Sequence, residues 1–381
     1  MALPIGISFY TFESMSYTIG VYRRLAKPAR RFSDISCFVS LFPHLVAGPI
    51  VRYNVLAERI QYLEHTLDKF STGVAIFILG FAKKILLANP MGRVADAVFG
   101  AAAPLPLDAW VGVIAYAFQI YFDFCGYSDM AIGLDACLIR DTGERPVTLS
   151  FRKYYGVLVA AGTSRYPPGL RDYLYLPLGG NRKGRARRYV NLFATMLLGG
   201  LWHGAGWTYV FWGGLHGLYL CINHAWQALA GERQLPRGVA AALTFLSVVV
   251  AWVFFRATNF TTAVDILKGM AGLHGVALPD AIVRGLGPLG TRLTGLGIEA
   301  YLGGGQRFVQ NWSWVALGAL IAFVMPNTQE FHARLRPALE PVRAGWLRWR
   351  PNAAWAIGLG ALAAAGILSL SRPSEFLYFQ F

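Results

Sequence analysis

Residues 190–222 constrain the fold of this chain more than any other stretch, because none of these 33 residues is Asp, Glu, Lys or Arg. One straight helix of that length measures about 50 Å at ~1.5 Å per residue, whereas the hydrocarbon core of a bilayer is ~30 Å thick. We therefore predict a break, either at the glycine pair 199–200 or in the Gly-Ala-Gly sequence at 204–206. Broken backbone at membrane depth is tolerated where protein covers it or water reaches it.

A histidine, His203, lies beside the second of these positions, between Trp202 and Gly204. The ordinary pKa of imidazole is near neutrality, which suits proton transfer at physiological pH. An ionisable side chain in a membrane segment also marks a candidate functional site. His203 is therefore the candidate general base, and a buried structural histidine is the alternative that the sequence leaves open.

The sequence does not support a metal site. His216 follows His203 by 13 residues, and at about 100° per residue the two would lie on different faces of one helix. The four cysteines show no CxxC pairing, so we read them as small core residues.

The composition indicates a membrane protein. Hydrophobic residues make up 55% of the 381 residues and charged residues only 14%, against about 25% charged in soluble domains. The apolar runs are too long for the strands of a barrel, so we predict an all-α, polytopic transmembrane helical bundle with residues 1–381 in one domain. Between its spans we expect a Gly-rich ordered loop with short helices at 275–310. The predicted apolar segments are 71–88, 108–134, 238–255, 312–325 and 353–370.

The net charge of +15 is unevenly distributed. Residues 140–190 contain eleven Lys or Arg against three Asp or Glu. Nucleic-acid binding is the usual alternative for such a cluster, but this one lies between membrane segments. The positive-inside rule explains it better, so we predict a cytoplasmic basic loop and no nucleic-acid partner.

Charged residues also occur within two predicted spans. Lys83 and Lys84 lie near the end of the 71–88 segment, where we expect them to extend to the cytoplasmic interface. Asp123 and Asp129 lie at or near membrane depth, where carboxylates are costly and mark pairing or function. The alternative is that these two carboxylates face water or cap a neighbouring helix.

Six stretches spread over the chain carry a family resemblance. They are LPIGISFYTFESMSY at 3–17, FPHLVAGPIVRY at 42–53, YFDFCGYSDMAIGL at 121–134, RDYLYLPLGGNRKG at 171–184, LLGGLWHGAGWTYVFWGGLHG at 197–217 and FLYFQF at 376–381. These stretches resemble the membrane-bound O-acyltransferases, and most closely the bacterial alginate O-acetyltransferase branch.

The resemblance implies a multi-pass enzyme of the bacterial inner membrane with a central funnel. Such an enzyme moves an acyl group, typically acetyl, from acetyl-CoA or another cytoplasmic thioester toward hydroxyls of an exported polysaccharide such as alginate. It implies no tightly bound cofactor. The implied partners are membrane lipids, the exopolysaccharide acceptor and periplasmic acetyltransferase proteins.

The resemblance also assigns site residues. The active-site histidine of the family falls on His203, in the W-H-G sequence. Substrate-binding residues that shape the funnel are expected among Trp202, Arg171, Asp172, Asn191, Asp123 and Asp129. Basic residues at 182–188 are expected to attract phosphates of the donor, and the alternative for them is contact with anionic lipid headgroups.

Two departures from the family pattern lead to further expectations. Several transmembrane helices normally precede the LPIGISFYTF sequence, so the chain resembles an N-terminally truncated member. A stretch like E-F-W-R-R-W-H-I-S-L-S-x-W, with a second histidine, is replaced by YYGVLVAAGTSRYPPG at 154–169. We hypothesise that 154–169 is a frame-shifted reading of that stretch, and genuine divergence is the alternative. Two other functions stay open, a polymer or lipid transporter and an inactive, frame-disrupted fragment.

Overall fold

The computed structural model describes residues 7–41, 53, 66–138, 170–230, 235–332 and 346–371. The predicted all-helical fold is confirmed in this part of the chain, where the strands are one pair of three residues each. The stretch at 154–169 lies outside the described residues. In chain order the helices are α1 (Ile7–Tyr22), α2 (Phe32–Val39), α3 (Leu67–Ala82), α4 (Asn89–Phe99), α5 (Pro106–Leu138), α6 (Gly184–His203), α7 (Trp207–Ala230), α8 (Arg237–Arg256), α9 (Phe260–Met270), α10 (Asp280–Gly285), α11 (Pro288–Gly295), α12 (Gly305–Val324), α13 (Thr328–Phe331) and α14 (Ala353–Leu368).

Three of the described helical segments are long and apolar enough to cross a membrane. They are Leu67–Phe99, Pro106–Cys137 and Gly238–Arg256. The first contains α3, a π-helical turn at Lys83–Ala88, and α4. The predicted helical spans at 71–88, 108–134 and 238–255 are therefore confirmed, while α14 is apolar but shorter.

The Gly-rich region contains the short helices α10 and α11, as expected for an ordered loop with short helices. It also contains a parallel pair of strands that the sequence did not predict, β1 (Ala277–Pro279) and β2 (Glu299–Tyr301). Three-residue strands carry too short a pattern to be recognised, because alternation needs about four residues or more.

Two compact units make up the chain. The first takes Met1–Asn89, Ile120–Ser150 and Val324–Gln380, and the second takes Pro90–Gln119 and Phe151–Phe323. The prediction that residues 1–381 form one domain stays a prediction.

Close packing of α3 on α5 organises the first unit. A Cβ atom on Gly80 would lie 2.5 Å from the carbonyl oxygen of Gly126, and one on Gly126 would lie 2.7 Å from the carbonyl oxygen of Gly80. The two backbones can approach this closely only because neither residue has a side chain. The approach brings the π-helical turn at Lys83–Ala88 against the polar face of α5.

Two lysine–aspartate pairs form at this approach. Lys83 Nζ lies 2.6 Å from Asp129 Oδ2, and Lys84 pairs with Asp123. The prediction that both lysines extend to the membrane interface was wrong, because these carboxylates on α5 hold them. The aspartate side chains are only 1% and 3% exposed, and a buried charge is stable only when it is paired and hydrogen-bonded. Thr328 on α13 completes the first pair, since its Oγ1 donates to Asp129 Oδ2 at 2.6 Å and accepts from Lys83 Nζ at 2.6 Å.

A helical hairpin of α6 and α7 is the centre of the second unit. A Cβ atom on Gly200 would lie 2.3 Å from the Tyr209 carbonyl oxygen, and one on Gly213 would lie 2.4 Å from that of Met196. As at Gly80, the absence of both side chains permits the contact. The two helices therefore pack backbone to backbone next to the turn that joins them.

Candidate active site

His203 is the last residue of α6, and α7 begins at Trp207. The predicted break at 204–206 is therefore confirmed, whereas the glycine pair 199–200 lies inside α6. Gly204 is extended, with φ 171° and ψ 159°, so the chain leaves the helix axis directly after the histidine. This places the imidazole at a helix end, next to backbone carbonyl groups that have no partner within the helix.

Aromatic rings surround the His203 imidazole. Its ring centroid lies 5.0 Å from that of Trp202, 5.3 Å from that of Trp212 and 5.3 Å from that of Phe255. Trp202 is 36% exposed, and His203 itself is partly exposed. The histidine is thus held by packing on several sides and is still accessible from outside. A general base must be accessible to its substrate, whereas a structural histidine can be fully enclosed.

The segment at Arg171–Tyr175 lies along α6 and runs in the opposite direction. Leu170 is close to Gly199, since a Cβ atom there would be 3.7 Å from Leu170 Cδ1. Further along, Tyr175 packs on Leu192 and Met196 of α6. The start of the segment therefore lies one helical turn from His203.

Arg171 and Asp172 belong to this start and form a pair, with Arg171 Nε 2.7 Å from Asp172 Oδ1. Both side chains are partly exposed, at 38% and 17%. These two predicted site residues directly follow Leu170, which lies beside Gly199 of α6, and their role in substrate binding stays a prediction.

Asn191 is a buried residue of α6. Its side chain is 1% exposed, and its Nδ2 donates to the Gly180 carbonyl oxygen at 3.0 Å. Twelve residues of α6 separate it from His203, which is about 18 Å along the axis. The structure does not bring Asn191 to the imidazole. Asn191 instead holds the loop at Gly180, and its role in substrate binding stays a prediction.

A second set of polar contacts fixes the same loop. The Tyr175 hydroxyl donates to Asn181 Oδ1, and burial raises the pKa of this phenol. On α6, Arg188 Nη2 donates to His224 Nδ1 of α7 at 2.6 Å. The start of α6 is thereby tied both to the loop and to α7.

The basic residues at 182–188 are not all in a loop, because α6 already begins at Gly184. Arg182, Lys183, Arg185 and Arg187 are exposed there. Four cations at a helix N-terminus add to the partial positive charge of the helix dipole. This end of α6 is therefore a surface that attracts anions.

Asp123 and Asp129 belong to the first compact unit, where lysines pair with them. Sequence reasoning missed these partners, Lys83 and Lys84. The pairing could have been predicted from the sequence, because two cations and two carboxylates occur within neighbouring apolar segments. Whether the aspartates bind substrate stays a prediction.

The comparisons with known proteins identify the family of this chain. Residues 170–264 match the model of the membrane-bound O-acyltransferase family. The probable alginate O-acetylase of Pseudomonas aeruginosa is 38% identical over 409 residues, which cover 100% of this chain and 77% of the relative. That of Pseudomonas putida is 40% identical over 100% of this chain and 75% of the relative.

This chain belongs to the membrane-bound O-acyltransferase family. It is accordingly a membrane protein and an O-acyltransferase, as the resemblance implied. A further relative is the peptidoglycan O-acetyltransferase of Helicobacter pylori, 35% identical over 73% of this chain and 58% of the relative.

The matched range contains both helices of the α6–α7 hairpin. The sequence analysis considered His216 only as a metal ligand and did not connect it with Trp212. Their spacing of four residues in α7 puts them on one face of the helix, and the Trp212 ring contacts both His216 and His203. His203 and His216 lie on separate helices, so the helical spacing of the two histidines does not predict this contact.

Proposed function

We propose that this acyltransferase moves acetyl groups from a cytoplasmic acyl thioester, such as acetyl-CoA, toward hydroxyl groups of an exported polysaccharide. The names of its relatives support the acceptor class, since they include alginate O-acetylases and a peptidoglycan O-acetyltransferase. The observation that carries the proposal is His203, held by aromatic rings at a helix break and still partly exposed.

His203 acts as the general base in this proposal. The acceptor hydroxyl loses its proton to the imidazole as its oxygen attacks the thioester carbonyl carbon. The C–S bond then breaks, the acyl group remains on the acceptor oxygen, and the imidazolium returns the proton to the leaving thiolate. A partner protein can take the place of the final acceptor, in which case the same step loads that carrier.

The basic end of α6 receives the donor. Arg182, Lys183, Arg185 and Arg187 are exposed and carry positive charge that matches the phosphates of a coenzyme A thioester. This role also fits the predicted cytoplasmic position of residues 140–190, because acyl-CoA is a cytoplasmic metabolite. Arg171 and Asp172, one turn from His203, line the path between this end and the imidazole.

The cellular setting follows from the same proposal. We place the enzyme in the bacterial inner membrane, surrounded by lipid, with the polysaccharide acceptor and a periplasmic acetyltransferase as partners. In that arrangement the enzyme carries acetyl groups across the membrane, and the partner completes their transfer to the polymer.

The test is acetylation of polymer by this chain in a bacterium whose own polysaccharide O-acetylase has been deleted. We expect ester-linked acetate on the exported polymer, measured by mass spectrometry after mild alkaline release. Polymer that is exported but carries no acetate contradicts the proposal. A different outcome favours a transporter: the deletion strain exports no polymer and therefore shows no acetate, and this chain restores export.

A further inference from the structure

Three buried polar groups close to His203 have no hydrogen-bond partner in the described part of the chain. They are Nε1 of Trp212, Nε1 of Trp252 and Nε2 of His216. The three residues are 5%, 4% and 2% exposed. An unpaired buried donor or acceptor costs about 1–3 kcal/mol, and such groups are rare in folded proteins. A polar ligand with hydrogen-bonding groups of its own would satisfy the three groups of this cluster.

The groups adjoin one another through the Trp212 ring. Its centroid lies 4.8 Å from that of His216, 5.7 Å from that of Trp252 and 5.3 Å from that of His203. Trp212 and His216 come from α7, and Trp252 comes from α8. All belong to the second compact unit. The polar cluster therefore lies within one ring contact of the candidate base.

The chemistry of these groups selects the ligand. An indole N–H only donates, so the ligand atom that meets Trp212 and Trp252 must accept hydrogen bonds. The other rings around Trp212 are those of His203, His216 and Phe255, and none of them supplies a permanent counter-charge. A full charge is costly in such surroundings. The preferred ligand is a neutral oxygen, and the acyl group carries one in its carbonyl.

We propose that Trp212, Trp252 and His216 form a subsite that binds the carbonyl oxygen of the acyl thioester. This inference rests on the proposed function and adds the residues that bind the reacting carbonyl. When the acceptor oxygen attacks, negative charge develops on the carbonyl oxygen until the C–S bond breaks. Preorganised donors bind that oxygen more strongly as its charge grows, so they accelerate the transfer.

Two coenzyme A probes test the subsite. One carries an acetonyl thioether, which keeps a carbonyl, and the other carries a 2-methylallyl thioether, in which a methylene group replaces the oxygen. We expect the wild-type enzyme to bind the carbonyl probe about 5–150-fold more tightly, as a hydrogen bond of about 1–3 kcal/mol requires. In Trp212→Phe, Trp252→Phe and His216→Phe, the ratio should fall toward one.

Trp110→Phe is the matched control. Its Nε1 donates to the Met270 carbonyl oxygen at 3.0 Å, so the substitution removes an indole donor that already has a partner. It should leave the ratio of the two affinities unchanged. For transfer itself, Trp212→Phe should lower kcat by about 10²-fold and change KM much less, as expected for a donor that meets the transition-state oxygen.

Equal binding of the two probes by the wild-type enzyme overturns the subsite, as does an unchanged ratio in the variants. Binding of neither probe by an enzyme that still transfers acetyl overturns it too. The ratio compares two ligands on the same protein, so a loss of folded protein does not imitate the expected result. If one variant fails to fold, the other two decide. An active wild-type enzyme with an unchanged ratio refutes only the subsite, whereas a wild-type enzyme without transfer refutes the proposed function.

Discussion

Removing one partner of the buried Lys83–Asp129 pair should destabilise the protein by several kcal/mol. Breaking a buried ion pair generally costs about 3–5 kcal/mol, because it leaves an uncompensated charge. Asp129 is 1% exposed and Lys83 is 22% exposed. Lys83→Met leaves an almost fully buried carboxylate without its cation, and the hydrogen bond from Thr328 offsets only part of that cost, so we expect a loss near 5 kcal/mol. Asp129→Leu leaves an ammonium group that reaches some solvent, so we expect a loss near 3 kcal/mol by the same scale.

The double variant Lys83→Met/Asp129→Leu should recover much of the loss, because replacing both charges by apolar groups is often close to neutral. We expect the double variant to lose less than either single variant, so the sum of the two single effects, about 8 kcal/mol, should exceed the double effect by more than about 5 kcal/mol. The free energy of unfolding is measured by titrating the purified protein in mixed micelles with a denaturing detergent. Lys268→Met is the control, since its pair with Asp265 spans 3.6 Å with side chains 50% and 31% exposed and should contribute less than about 1 kcal/mol. Single variants as mild as this control would refute the reasoning.

Three further predictions concern the second unit. Gly213→Ala places a methyl group 2.4 Å from a backbone oxygen of α6 and should sharply lower the yield of folded protein. Gly214→Ala is the control, since its methyl group would lie 3.6 Å from the nearest atom, Leu197 Cδ1. Equal yields would contradict the close packing. Asn191→Leu removes the donor to Gly180 and should cost about 1–3 kcal/mol, and an unchanged unfolding free energy would show that the loop needs no such bond. Arg185→Cys, in a background without other cysteines, should react with an impermeant thiol reagent only from the cytoplasmic side; labelling from the periplasm would reverse the predicted topology.

The helix break could be predicted from the sequence because its causes are local. A charge-free stretch of 33 residues exceeds the thickness of the hydrocarbon core, and glycine is common where helices end. The histidine at that break was recognisable for the same reason. The helices at 71–88, 108–134 and 238–255 were also recognisable, since length and apolar composition are properties of each segment alone.

The lysine–aspartate contacts that the sequence did not predict join distant parts of the chain. Lys83 and Asp129 are 46 residues apart, and no local pattern states that α3 and α5 meet at Gly80 and Gly126. We therefore treated the lysine as an interfacial residue, which is correct only for a lysine without a buried partner. The hydrogen bond from the buried Asn191 amide to the Gly180 carbonyl oxygen was not predicted either.

The most direct test of the account is acetyl transfer by the His203→Ala enzyme. Membranes that contain the wild-type enzyme or the variant receive radiolabelled acetyl-CoA and polysaccharide acceptor, and ester-linked label is counted. His274→Gln is the control, because this histidine contacts the Pro104 carbonyl oxygen at 3.1 Å and does not belong to the proposed site. We predict a loss of about 10²–10⁴-fold for His203→Ala, at an unchanged amount of inserted protein, and near-normal transfer for His274→Gln. Wild-type rates of transfer in the His203→Ala enzyme would contradict its role as the base.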